Sequence, residues 1–157
     1  MLHYLGGAIV MQEVPDEVSL AVTIAGCIHR CPDCHSKYTW ADEGRPLLEH
    51  LPIMLKTYSP YITCFCMMGG DQDQRELIKV CKMVHEKKKK TCLYTGYDRM
   101  DQIIPALLEE LDYLKIGRFD KQKGPLSSET TNQRMYKKVN GDWTDITSSF
   151  WPKEDLL

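Results

Sequence analysis

The chain has 157 residues, with 20 Lys and Arg against 22 Asp and Glu; that length suits a single domain over residues 1–157 that buries its own core. Charges this balanced raise no global field to recruit nucleic acid or an anionic membrane surface, and no apolar run is long enough to span a bilayer, so neither partner is expected. The opening MLHYLGGAIVMQEVPDE lacks the basic region and long apolar core of a signal peptide, which places the chain in the cytoplasm, where seven cysteines point to a metal or redox site before a disulfide framework.

In chain order, VSLAVTI (18–24) is β-branched, stops at Gly26 and reads as a strand. PLLEHLPIMLKTY (46–58) has apolar residues at helical spacing, with Pro52 expected to distort it. YITCFCMM (61–68) is a continuous apolar run ended by Gly69-Gly70, as in a strand buried on both faces. DQRELIKVCKMVHEKKKK (73–90) places Leu77, Val80, Cys81 and Val84 on one helical stripe, with Lys87 to Lys90 as a solvated end. TCLYTGY (91–97) is a short strand, MDQIIPALLEELD (100–112) a helix with Pro105 near its first turn, and YLKIGRF (113–119) the next strand. QRMYKKVNGDWTDITSSF (133–150) alternates around Asn140-Gly141, the pattern of a tight hairpin.

Strands and helices in alternation predict a parallel sheet with right-handed crossovers. Chemistry in such sheets gathers at the carboxyl ends of strands. Cys27, Gly69-Gly70-Asp71, Thr95-Gly96 and Gly117-Arg118 all fall just past predicted strand ends and should meet on one edge.

Cys27, Cys31 and Cys34 stand in a Cys-x3-Cys-x2-Cys pattern, which admits two readings. Zinc would need a fourth ligand, for which His29 or His35 is at hand. A 4Fe–4S cluster could instead take the three thiolates and leave one iron open to a small molecule. Cys64, Cys66, Cys81 and Cys92 read as small core residues, with Cys64 and Cys66 expected on opposite faces of their strand.

Set just after a first strand, the three-cysteine pattern resembles the signature of the radical S-adenosylmethionine enzymes. MMGGDQD, LYTGY, LKIGRF and TTNQR follow in order, and together with GCIHRCPDCHSKYTW they resemble the activating proteins of anaerobic ribonucleoside-triphosphate reductases over roughly residues 18–150. The resemblance implies an α/β fold: an incomplete parallel (βα) barrel of radical S-adenosylmethionine type, with a C-terminal hairpin or loop extension. It implies a 4Fe–4S cluster on Cys27, Cys31 and Cys34 and S-adenosylmethionine bound through its amine and carboxylate. Asp33 and His35 would contact that ligand, Gly69 and Gly70 would let backbone approach it, Asp71 would accept from its ammonium group, and Thr95 would line the same edge. No catalytic side chain beyond the cluster ligands is implied. Trp40 would pack behind the loop, and Asn132-Gln133 matches a late element without a derivable role. The implied reaction is reductive cleavage of S-adenosylmethionine, with an electron from a low-potential donor such as a flavodoxin or ferredoxin. The resulting 5′-deoxyadenosyl radical would form a glycyl radical on the large subunit of the anaerobic reductase. Activation of a different glycyl-radical enzyme, another small radical enzyme, and a zinc-binding interaction module remain as alternatives.

Overall fold

Four of the apolar runs lie side by side and parallel, at the centre of a wider sheet. The computed structural model describes residues 1–32, 34 and 36–152. Its strands are β1 (His3–Val10), β2 (Ser19–Ile24), β3 (Arg45–Pro46), β4 (Cys64–Met68), β5 (Lys90–Tyr94), β6 (Tyr113–Ile116), β7 (Arg134–Val139) and β8 (Asp142–Asp145). Helices α1 (Leu47–Tyr58), α2 (Gln74–Glu86) and α3 (Pro105–Glu110) connect the parallel strands. The sheet order is β3-β1-β2-β4-β5-β6-β7-β8. Strands β2, β4, β5 and β6 are parallel, and β1, β3, β7 and β8 join antiparallel. The sheet is therefore mixed, where alternation alone predicts a parallel one. The added strand β1 begins at His3, in a stretch whose Leu5-Gly6-Gly7-Ala8 is poor in β-branched residues.

Local chemistry explains the helices. The Asp73 side chain caps α2 by accepting the Glu76 N–H at 3.1 Å. Pro105 occupies the first turn of α3, where a missing N–H costs nothing. Pro52 faces solvent within α1, and the helix runs through it. The predicted stripe on α2, Leu77, Val80, Cys81 and Val84, is fully buried.

The two faces of the sheet differ. Leu20, Val22, Ile24, Phe65, Met67, Leu93 and Leu114 pack against the three helices. Cys64, Cys66, Cys92, Tyr113 and Met135 point the other way and meet Val14 and Leu126 from loops. Cys64 and Cys66 thus share one face, contrary to the expectation above, because residues two apart on a strand point alike. The hairpin between β7 and β8 turns at Asn140-Gly141, both with positive φ (52° and 84°), as its Asn-Gly pair predicts.

Candidate functional site

Strand register decides which side chains meet. Thr23 pairs with Met68, Met68 with Tyr94 and Tyr94 with Lys115, so these four form one row at the carboxyl end of the parallel strands. The chain leaves this row through the cysteine loop after β2, Gly69-Gly70-Asp71 after β4, Thr95-Gly96 after β5 and Gly117-Arg118 after β6. A cavity of about 280 Å³ opens there, bordered by Cys27, Cys31, Cys34, Asp71, Thr95 and Lys115 among others. The expected meeting on one edge is what the register produces. Asp33 and His35 lie outside the described residues.

The cysteine loop is closed by backbone bonds. Gly26 N–H and Cys27 N–H both donate to the Thr39 carbonyl, at 2.7 and 3.0 Å, and Cys34 N–H donates to the Cys31 carbonyl at 3.1 Å. Ser36 N–H donates to Cys34 Sγ at 3.2 Å. All three thiols are free and half-buried. Among the described residues no three His, Cys, Asp or Glu side chains are grouped as ligands for a single metal ion. Three thiols on one cavity are a donor set suited to a multi-iron cluster, whose irons each take a separate thiolate. The residues present therefore fit such a group.

Asp71 is the most constrained acid in the cavity. Its side chain is 4 % exposed, and its Oδ2 accepts from His29 Nε2 at 2.5 Å and from Gly96 N–H at 3.1 Å. Its Oδ1 is buried, and no hydrogen-bond partner reaches it among the described residues. A carboxylate oxygen left so is costly unless a ligand completes it.

Lys115 enters the same cavity from β6. Its Nζ donates to the carbonyls of Thr95 and Gly117, at 3.1 and 3.0 Å, and lies 5.6 Å from the centre of the Tyr94 ring. Burial pulls its ammonium group down to about 8, opposed by the negative charge of Asp71. A cation held here by neutral carbonyls raises the positive potential around the thiols.

The two glycines after β4 do different jobs. Gly69 borders the cavity, whereas Gly70, at φ 104°, faces α2, where a Cβ would come within 2.7 Å of Leu77 Cδ2. Gly70 thus permits the turn and its packing against α2. The Thr95 hydroxyl accepts the Tyr97 N–H at 3.1 Å, and the residue borders the cavity. Gln72 donates to the Ala25 carbonyl at 2.7 Å and ties this turn to the base of the cysteine loop. Asn132 and Gln133 acquire a role the sequence did not supply: their amides donate to the carbonyls of Arg118 and Gly117, at 3.0 and 3.3 Å, and brace the end of β6. Trp40 sits under Arg30 and Lys37, 5.7 and 5.8 Å from its ring, as a packing residue of the loop.

Cys64, Cys66, Cys81 and Cys92 are fully buried and free. Burial pushes the Cys81 thiol up to about 12 and those of Cys64 and Cys92 well above their usual value, so all three stay protonated and inert. They are core residues, as expected.

Next to the thiol cavity lies a chamber of about 480 Å³ lined by Leu126, Pro125 and Phe150, which shares Met68, Tyr94 and Lys115 with it. A surface depression of about 760 Å³ shares Gln12, Ser127 and Phe150 with that chamber. The three spaces share lining residues and so adjoin one another.

Sequence reasoning missed two residues of this site. His29 entered it only as an optional zinc ligand, and Lys115 not at all. A lone lysine inside the apolar strand YLKI was the available signal for the second.

A family model described as "4Fe-4S single cluster domain" matches residues 17–137. The chain is similar to the anaerobic ribonucleoside-triphosphate reductase-activating protein of Salmonella typhimurium, 24 % identical over 110 residues, which covers 61 % of this chain and 71 % of the relative. The protein of the same name from Salmonella typhi matches with the same identity and coverage. The resemblance read from the motifs is thus borne out by both comparisons. No solved structure matches the chain.

Proposed function

Because the chain belongs to the 4Fe-4S single cluster domain family, we propose that it is an activating enzyme of radical S-adenosylmethionine type that installs a glycyl radical on an anaerobic ribonucleotide reductase. One observation carries the reading: three free thiols from one loop share a cavity with a buried carboxylate oxygen that lacks a partner. Cys27, Cys31 and Cys34 would hold the cluster. When bound, it would supply the one electron for reductive cleavage of the C5′–S bond of S-adenosylmethionine, releasing methionine, with the α-hydrogen of the partner's glycine ending on 5′-deoxyadenosine.

The protein's own residues bind and shield. Asp71 Oδ1, buried and without a partner among the described residues, would accept a ligand ammonium in a low-dielectric setting, where a charge-assisted bond is strong. Lys115 supplies the opposite charge for a ligand carboxylate or for the thiolates. Gly69 and Thr95 form the wall, with Gly70 setting the turn that presents Asp71. Asp33 and His35 complete the ligand contacts in this reading. The open spaces beside the thiol cavity suit a macromolecular substrate: a loop of the reductase could lie across Phe150 and Ser127. An open, incomplete barrel is the curvature this requires. The large subunit of the reductase is the partner and a flavodoxin or ferredoxin the electron source, in the cytoplasm. The names of the Salmonella relatives support the choice of reductase.

Anaerobic reconstitution with iron and sulfide, followed by reduction and electron paramagnetic resonance, tests this. A reduced-cluster signal that changes on adding S-adenosylmethionine, followed by a glycyl-radical signal on adding the anaerobic reductase, is the expected result. Uptake of one zinc and no iron would overturn it. Radical formation only on a different glycyl-radical enzyme would redirect the partner.

A further inference from the structure

Resting on the reading above, we propose that His29 is a positioning residue: it holds the Asp71 carboxylate so that Oδ1 faces the ligand's ammonium group. His29 lies between two of the cysteines, yet its side chain turns away from solvent and is 6 % exposed. Its Nε2 is engaged by Asp71 Oδ2 at 2.5 Å. Its ring meets the edge of Tyr97, with centroids 4.7 Å apart and planes at 89°. The backbone at Gly96 is shaped to the imidazole, since a Cβ there would lie 2.4 Å from His29 Cδ2. His29 therefore joins the cysteine loop to the ends of β4 and β5 at once.

The consequence for Asp71 follows from the count of donors. The Gly96 N–H alone would fix one oxygen and leave the carboxylate plane free to turn about it. A second donor on that same oxygen, from a ring locked by Tyr97 and Gly96, sets the plane and directs Oδ1. A primary ammonium is the donor that such an orphan carboxylate oxygen would bind most strongly, through a charge-assisted bond. Any movement of the cysteine loop would be felt at Asp71 through the same bond.

The test uses the cluster-loaded protein under anaerobic conditions and two probes: S-adenosylmethionine and its analogue in which hydroxyl replaces the amine. Equilibrium binding by calorimetry and iron per protein are measured for wild type, His29→Phe and His29→Gln. Phe keeps a ring against Tyr97 but has no donor, and Gln keeps an N–H at similar reach. His29→Phe should weaken S-adenosylmethionine about tenfold or more, the size of a lost charge-assisted contact. It should weaken the analogue, whose hydroxyl gives Oδ1 only a neutral hydrogen bond, by clearly less and leave the iron content unchanged, while His29→Gln stays within about threefold of wild type. Equal weakening of both probes, loss of iron, or no weakening at all would each overturn the positioning role while leaving the activase reading intact. If wild type itself does not bind S-adenosylmethionine, the activase reading falls and this inference with it. Should His29→Phe not fold, His29→Asn, too short to reach Asp71, replaces it with the same expectations.

Discussion

Replacing Lys115 by Met should convert a pH-dependent part of the stability into a pH-independent one. Met keeps most of the stem's packing and removes the charge. In the folded protein, burial brings the Lys115 ammonium from its ordinary 10.5 to about 8, against the pull of Asp71. The folded value lies below the unfolded one, so between these pH values the unfolded chain binds more protons and stability rises with pH. Below pH 8 the wild type carries the whole cost of a buried charge; it is relieved progressively as pH rises to 10.5. At about 1.36 kcal/mol per pH unit, the separation amounts to about 3 kcal/mol in full and about 2 kcal/mol between pH 7 and 9.5. Thiols and tyrosines distant from Lys115 also ionise in that range but cancel in the difference, leaving its coupling to Cys31 as the remaining contribution. The assay is urea denaturation of metal-free, reduced protein at several pH values, without oxygen. The gap between wild type and variant should shift by about 2 kcal/mol in favour of wild type over that range. A gap constant to about 0.5 kcal/mol would refute the reasoning and show that Lys115 is solvated or paired at neutral pH.

Cys27→Ala, Cys31→Ala and Cys34→Ala should each lower iron retained after anaerobic reconstitution, whereas Cys81→Ala, on the helix side of the core, should retain it at wild-type level. Gly70→Ala should cost about 1–3 kcal/mol in urea denaturation, and more than Gly141→Ala, which has positive φ but open space around it. Phe65→Ala should cost about 3–5 kcal/mol, because its ring is fully buried against the helices. Ile53→Ala, 63 % exposed on α1, should change stability by about 0.5 kcal/mol or less by the same assay.

Periodicity and punctuation made much of the architecture legible. The stripe on α2, the apolar run before Gly69, the Asn140-Gly141 turn and Pro105 at the start of α3 each have a local cause, so each could be placed from neighbouring residues alone. β1 could not be placed this way, because Leu5-Gly6-Gly7-Ala8 has no strong preference and becomes a strand by pairing with Ala8↔Ala21 and its neighbours on β2. Antiparallel edges on a parallel centre follow from such pairings, which no local pattern announces.

The site divides along the same line. Cys27, Cys31 and Cys34 carry their meaning in spacing within one loop, and Gly69-Gly70-Asp71 in position after a strand, so the linear order of residues already determined a three-thiol loop opposite an acidic turn. Which oxygen of Asp71 stays open was decided by the tertiary structure, since His29 and Gly96, 42 and 25 residues away, converge on Oδ2. The same holds for Lys115: only the register of β5 and β6 turns an amine in an apolar strand into the buried charge beside the thiols. Contacts between distant segments depend on how strands align and which face each side chain takes, and those are properties of the folded sheet rather than of any stretch of chain.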